Sequence, residues 1–84
     1  MKVRIERLGE GLHPSEEMIA IATSDGREEM AVDKAHLQGD ELDIGWPVGT
    51  NGDLYLIELP NETFRGTWRV WVPRDSLIRE EAVA

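Results

Sequence analysis

Residues 51–59 are Asn-Gly-Asp-Leu-Tyr-Leu-Ile-Glu-Leu, the stretch that most strongly indicates the fold. Asn51-Gly52 is the dipeptide most typical of a tight β-hairpin turn, since both residues tolerate a positive φ. A strand is predicted to follow it over residues 53–59, because β-rich apolar residues run between the turn and Pro60. We therefore expect a two-residue type I′ turn centred on Asn51 and Gly52.

Further short apolar segments flank this hairpin. Strands are predicted over residues 2–8, 17–23, 28–33, 41–46, 53–59 and 67–73, and single helical turns over residues 33–37 and 73–77. Eight Gly and four Pro residues separate these segments, so the chain has no room for long helices. Short strands at this spacing predict an all-β fold, a small antiparallel six-stranded barrel or sandwich.

The size and composition of the chain fit one domain over residues 1–84. Its hydrophobic fraction is 40% and its charged fraction 31%, as in ordinary globular proteins. Residues 79–84 are small or polar and are expected to fray. Gly26, Val32 and Leu37 recur forty positions later as Gly66, Val72 and Leu77, which suggests a weak repeat of residues 1–40 in residues 41–80.

Leu37–Ile44 and Trp71–Leu77 are two segments that resemble parts of a known fold. The first is similar to the segment that opens the first long strand of the Src-homology-three barrel, and the second is similar to the closing strand, proline and one-turn helix of that family. The resemblance covers residues 37–79 and implies an SH3-like architecture. The rings that grip proline-rich peptides in that family are missing: Leu54-Tyr55 stands in place of an aromatic doublet and Ser76 in place of a tyrosine.

The charge argues against several classes of partner. The net charge is −8, which disfavours nucleic acid and anionic membranes. The chain has no cysteine, and it shows neither a signal peptide nor an apolar run long enough for a membrane span. We therefore expect a cytoplasmic protein of bacterial type, without nucleic-acid or membrane partners.

No pattern in the sequence predicts catalysis or a cofactor. His13 and His36 stand far apart without metal-ligand spacing, so no metal is expected. Ser15, Ser24 and Ser76 lie in turn or capping contexts, where hydroxyl groups usually bond the backbone. Adjacent glutamates on a strand point to opposite faces and cannot converge on one substrate. The chain is predicted to be no enzyme.

The predicted strands at 53–59 and 67–73 carry more apolar residues than one buried face requires. If Trp68, Val70 and Val72 face the core, Trp71 faces away from it. Its neighbours would be drawn from Leu54, Leu56 and Tyr55, depending on register. The corresponding outer positions in the first half of the chain are expected to be small: Ala20, Ala22 and Ala31.

Two explanations for this surface remain open. The chain could cover it with its own loop at Gly9–Ser15, which contains Leu12, or with the segment around Ile78. Alternatively, a protein partner or a second copy covers it, because exposed apolar patches mark interaction sites. The sequence thus favours a non-enzymatic binding module. The alternative is a regulatory or accessory domain that binds a small ligand, with a concave site near Trp46 and His13.

Overall fold

The computed structural model describes residues 1–78, which form strands and short 3₁₀ turns but no α-helix. The strands are β1 (Lys2–Arg4), β2 (Glu6–Glu10), β3 (Glu16–Thr23), β4 (Gly26–Asp33), β5 (Leu37–Gln38), β6 (Glu41–Asp43), β7 (Gly49–Asn51), β8 (Leu54–Glu58), β9 (Arg69–Pro73) and β10 (Leu77–Ile78). The 3₁₀ turns are Lys34–His36 and Arg74–Ser76. The all-β prediction is confirmed, and both predicted helical turns are present. The predicted fraying of residues 79–84 lies outside the described residues.

The strands form three antiparallel sheets, in the orders β10-β1-β6-β5, β2-β3-β4 and β7-β8-β9, and none of these sheets closes into a barrel within residues 1–78. Ten strands replace the predicted six for two reasons. The segment at residues 2–8 divides at Ile5 into β1 and β2, which belong to different sheets. Strands β5, β7 and β10 have only two or three residues, too few to show an alternating pattern.

The hairpin between β7 and β8 differs from the predicted turn. Asn51 pairs with Leu54, so the two turn residues are Gly52 and Asp53 rather than Asn51 and Gly52. Gly52 has φ +61°, and no non-glycine residue among residues 1–78 has a positive φ. A positive φ at the first turn residue alone is the pattern of a type II′ turn. The predicted need for glycine at position 52 is confirmed, but the predicted type I′ turn is wrong.

One apolar core lies between the three sheets. Its buried members are Val3, Ile5, Ile19, Ile21, Met30, Val32, Leu42, Ile44, Ile57, Leu59, Val70 and Val72. Val70 and Val72 face inward as predicted, but Trp68 is 44% exposed and does not belong to the core. Strand β9 begins only at Arg69, so strict alternation does not extend back to Trp68.

The long connection between β8 and β9 is held against β4 by a buried polar contact. The Thr63 hydroxyl donates to a carboxylate oxygen of Glu28 over 2.8 Å, and both residues are buried. Phe64 N donates to Glu29 O over 3.0 Å, and the Asn61 side chain donates to Ala31 O over 3.0 Å. The connection therefore supplies hydrogen-bond donors to backbone carbonyls on the edge of β4 that does not pair with β3.

The strand pairings of the two halves follow one pattern. In the β1–β6 ladder Val3 pairs with Leu42, flanked by the pairs Lys2–Asp43 and Arg4–Glu41. Just beyond the ladder, Ile5 N donates to Asp40 O over 2.8 Å, and Ile44 N donates to Met1 O over 2.9 Å. The β1–β6 ladder is therefore symmetric about the Val3–Leu42 pair. When the two strands are interchanged, each of the two hydrogen bonds takes the place of the other.

The same equivalence extends to the two three-stranded sheets. Ile19 pairs with Met30 in β3–β4, and Ile57 pairs with Val70 in β8–β9. Thirty-eight residues separate Ile19 from Ile57, and forty separate Met30 from Val70. Because the offset is constant along each pair of strands, every ladder position in β8–β9 has an equivalent position in β3–β4.

The two halves also exchange their last strands. The 3₁₀ turns begin forty residues apart, at Lys34 and Arg74, and each leads into a two-residue strand. Strand β5 of the first half pairs with β6 of the second, whereas β10 of the second half pairs with β1 of the first. This exchange joins residues 1–40 and residues 41–78 through a shared four-stranded sheet.

Candidate functional site

The sheet β7-β8-β9 turns one face toward the core and an outer face away from it. Paired residues of neighbouring strands project to the same side. The outer face therefore contains three cross-strand pairs of β8 and β9, namely Leu54–Pro73, Leu56–Trp71 and Glu58–Arg69, together with Gly49 and Asn51 of β7. We call this set of residues the outer face.

Trp71 is the largest side chain of the outer face and is half-buried. Gly49 pairs with Leu56, which in turn pairs with Trp71. A Cβ atom at Gly49 would lie 3.7 Å from Cη2 of Trp71 and 3.4 Å from Cβ of Leu56. The indole thus reaches across β8 to the space that a side chain at Gly49 would occupy, as aromatic rings do beside glycine in sheets.

Three of the four predicted contact residues share this face. Leu54, Leu56 and Trp71 lie on the outer face, and each is half-buried. Tyr55 does not join them, because it pairs with Val72 and packs against the core. The sequence alone could not place Tyr55, because its face depends on the register of β8 against β9. The observed register places Tyr55 on the face opposite to Trp71.

At one end of the outer face, Arg69 lies between a carboxylate and an aromatic ring. The Arg69 guanidinium contacts Oε2 of Glu58 at 3.2 Å and lies 4.4 Å from the centre of the Trp68 ring. These groups are each about half exposed, so solvent screens the ion pair and makes it a weak contact. The segment that enters β7 adds further exposed apolar area, since Trp46 is 74% exposed and Val48 is 50% exposed.

The equivalent face of the sheet β2-β3-β4 has a different composition. The pairs equivalent to Leu54–Pro73 and Leu56–Trp71 are Glu16–Asp33 and Met18–Ala31. Leucine and proline on one sheet thus correspond to two carboxylates on the other, and a tryptophan corresponds to an alanine. The same backbone arrangement forms with both sets, so this fold does not itself require apolar residues on the outer face.

The loop at Gly9–Ser15, one of the covers that the sequence left open, does not shield the outer face with Leu12. Leu12 of the loop at Gly9–Ser15 is 89% exposed, so it covers no apolar surface. The turn between β3 and β4 lies closer to Trp71, since Ser24 N donates to Trp71 O over 2.9 Å. Ile78 is in β10, opposite Lys2, in a different sheet.

Within residues 1–78, the candidate metal-ligating side chains do not come together. Among residues 1–78 no group of three or more metal-ligating side chains comes together, and His13 and His36 lie in separate segments. The buried carboxylate of Glu28 contacts Thr63 and, at 3.5 Å, Nε of Arg65. These contacts give Glu28 a structural role in holding the connection between β8 and β9. No helix within the described part of the chain is long and apolar enough to cross a bilayer.

Comparison with known proteins gives no matching family model, curated protein or solved structure.

Proposed function

We propose that this domain is a non-enzymatic protein-interaction module and that its partner docks on the outer face. The observation that carries the proposal is the contrast between the two equivalent sheets. Leu54, Leu56 and Trp71 occupy positions where the first half of the chain has Glu16, Met18 and Ala31. Half-exposed apolar side chains gain most of their stabilisation only when a partner removes them from water.

The charge of the chain favours a different protein over a second copy as the partner. Each copy carries a net charge of −8, so two copies repel one another at low ionic strength. A partner with a basic rim around an apolar centre would instead be attracted. Such an arrangement is typical of interfaces, in which aromatic anchors lie at the centre and charges lie at the edge.

The SH3-like architecture is part of the same proposal. Residues Trp71–Leu77 form the end of a strand, a proline and a 3₁₀ turn, in the order that the resemblance implies. A proline-rich ligand is not proposed, because Leu54 and Ser76 replace the rings that would stack on its prolines. A cytoplasmic location also stays a proposal.

Affinity capture with two matched variants tests the proposed function. Trp71→Ser removes the large ring from the outer face, whereas Ala31→Ser changes the equivalent position on the other sheet. A partner captured from lysate would be identified, purified and titrated by calorimetry against both variants. We expect Trp71→Ser to weaken binding at least tenfold, about 1.4 kcal/mol, and Ala31→Ser to leave it unchanged. Equal affinities for the two variants, or a partner that binds elsewhere, would refute the proposal.

A further inference from the structure

An open cleft of about 460 Å³ lies beside β1, β2, β3 and β4, and Ser76 of the turn Arg74–Ser76 also lines it. Its apolar floor comes from Ile5, Ala20 and Ala22, and two arginines, Arg4 and Arg27, lie at its edge. We call it the arginine cleft. Its volume is within the range of about 300–1,000 Å³ that is usual for small-molecule sites.

An equivalent cleft of about 330 Å³ is lined by His36 of the first half and by residues of the second half, namely Asp43, Ile44, Gly45, Glu58, Leu59 and Pro60. Strand equivalence relates Arg4 to Asp43 and Ala20 to Glu58. At matching backbone positions, the arginine cleft therefore has a cation and a methyl group where the second cleft has two carboxylates. The same backbone arrangement forms both clefts. The larger volume and the positive charge of the arginine cleft therefore result from its side chains and not from the fold.

The two arginines of the cleft differ in their ion pairs. Arg27 contacts Glu6 at 3.2 Å and Glu29 at 3.3 Å, so its charge is already balanced. Arg4 is exposed, and no ion pair or side-chain hydrogen bond connects it to another residue among residues 1–78. One guanidinium is thus free to bind an anion at the edge of an apolar floor, in a chain whose net charge is negative.

We propose that the arginine cleft binds a small carboxylate with a compact apolar body. A guanidinium donates two parallel hydrogen bonds to a carboxylate, and such paired contacts are among the stronger hydrogen bonds. Ile5 and Ala22 would then cover the apolar body and remove it from water. A single negative charge fits better than a phosphate dianion, because Glu6 and Glu29 stand near the same edge.

The site is independent of the proposed protein-binding face. Apart from Ile5, which joins β1 to β2, its residues belong to β1, β2, β3, β4 and, through Ser76, the turn Arg74–Ser76, whereas the outer face belongs to β7, β8 and β9. In the antiparallel β10–β1 pair, Leu77 lies opposite Val3 and Ile78 opposite Lys2. Along β10, Ile78 therefore lies farther from Arg4 than Leu77 does.

Titration of the ¹⁵N-labelled protein with benzoate tests the proposal, with acetate and inorganic phosphate as comparison anions. We expect saturable shifts of the Ile5, Ala20 and Ala22 amide signals with benzoate, and weaker ones with acetate, which lacks the apolar body, and with phosphate. Arg4→Gln should raise the Kd for benzoate at least fivefold. Lys34→Gln removes the same charge from an exposed 3₁₀ turn and should leave the Kd unchanged.

A second variant tests the floor of the cleft without changing the charge. Ala22 has an exposed side chain, so Ala22→Leu should fill the cleft while the dispersed amide spectrum is retained. We expect this variant to lose the benzoate shifts. The proposal is overturned if benzoate causes no saturable shift in these amides of the wild-type protein at millimolar concentration. It is equally overturned if Arg4→Gln and Lys34→Gln change the Kd alike, since general charge would then explain the binding.

Discussion

Trp71 in β9 occupies the ladder position that Ala31 occupies in β4. Trp71 pairs with Leu56, and Ala31 pairs with Met18, the residue equivalent to Leu56. A tryptophan and an alanine thus stand at one position of the same arrangement in a single molecule. The comparison separates the requirements of the fold from those of a surface, because the alanine shows that the fold forms without a large ring there.

Because Trp71 lies close to Gly49, the size of the side chain at position 49 should determine whether the indole keeps its place. A Cβ atom there would make ordinary van der Waals contacts, so Gly49→Ala should change the free energy of unfolding by less than about 0.5 kcal/mol. Gly49→Val adds two methyl groups toward Cη2 of Trp71 and should displace the indole. The Trp71 indole NMR signal would move in the valine variant and stay in the alanine variant. Unchanged signals in both would show that the ring does not lie across β8.

Replacement of Gly52, in the β7–β8 turn, by alanine should destabilise the protein more than the same replacement of a glycine that lies in open space and has no positive φ. Gly52 has φ +61° and Gly45 does not have a positive φ, while neither would bring a Cβ atom within 4 Å of another residue. Gly52→Ala should therefore lower the free energy of unfolding by about 1 kcal/mol relative to Gly45→Ala, through backbone strain alone. Urea denaturation of both variants measures the difference. Equal midpoints would contradict the assigned turn.

Much of the fold could be predicted from the sequence because the signals were local. Alternation located Val70 and Val72 on the core face, and Asp33 capped a 3₁₀ turn by accepting from Ala35 N over 2.9 Å. The division at Ile5 could not be predicted, because Val3 and Ile5 alternate with charged residues up to Glu6, the first residue of β2, and no glycine or proline marks a break there. Sheet closure depends on long-range pairing that a local pattern does not encode.

The candidate surface could be predicted only in part. Alternation within one strand placed Trp71 outward, but the choice between Leu56 and Tyr55 required the register of β8 against β9. Gly49 was missed because a glycine gives no sign of which ring lies over it. Arg4 was missed because its cleft forms between strands that are distant in sequence. A search for charge differences between the two half-chains would have found Arg4 only once their equivalence was known.

The exposure of Trp68 predicts a smaller role in stability than its size suggests. Trp68 is 44% exposed, whereas Val72 is fully buried. Val72→Ala should cost about 2 kcal/mol through loss of core contacts and a cavity. Trp68→Ala should cost about 1 kcal/mol, because much of the ring is in water in both states and its contact with Arg69 is solvent-exposed. Thermal and urea unfolding of the two variants compares them, and a larger loss for Trp68→Ala would place the ring in the core after all.

The buried contact between Thr63 and Glu28 should hold the long connection in place. Thr63→Val keeps the shape but removes the 2.8 Å hydrogen bond to a buried carboxylate, and should cost about 1–3 kcal/mol. Thr50→Val is a matched change at an exposed position and should cost far less. Hydrogen exchange at the Phe64 amide, which donates to Glu29 O, should accelerate in the Thr63 variant only. Unchanged exchange would show that the contact does not anchor the connection.

The most direct test of the central claim compares Trp71→Ser with Ala31→Ser in binding and in stability. Trp71 is half-buried, so its replacement should lower the free energy of unfolding by about 1–2 kcal/mol and leave a folded protein. Calorimetric titration with the captured and purified partner should then show at least a tenfold loss of affinity for Trp71→Ser and none for Ala31→Ser. An unfolded Trp71→Ser variant would assign the ring to the core, and unchanged affinity in a folded one would remove the outer face as the binding surface; either result would contradict the account.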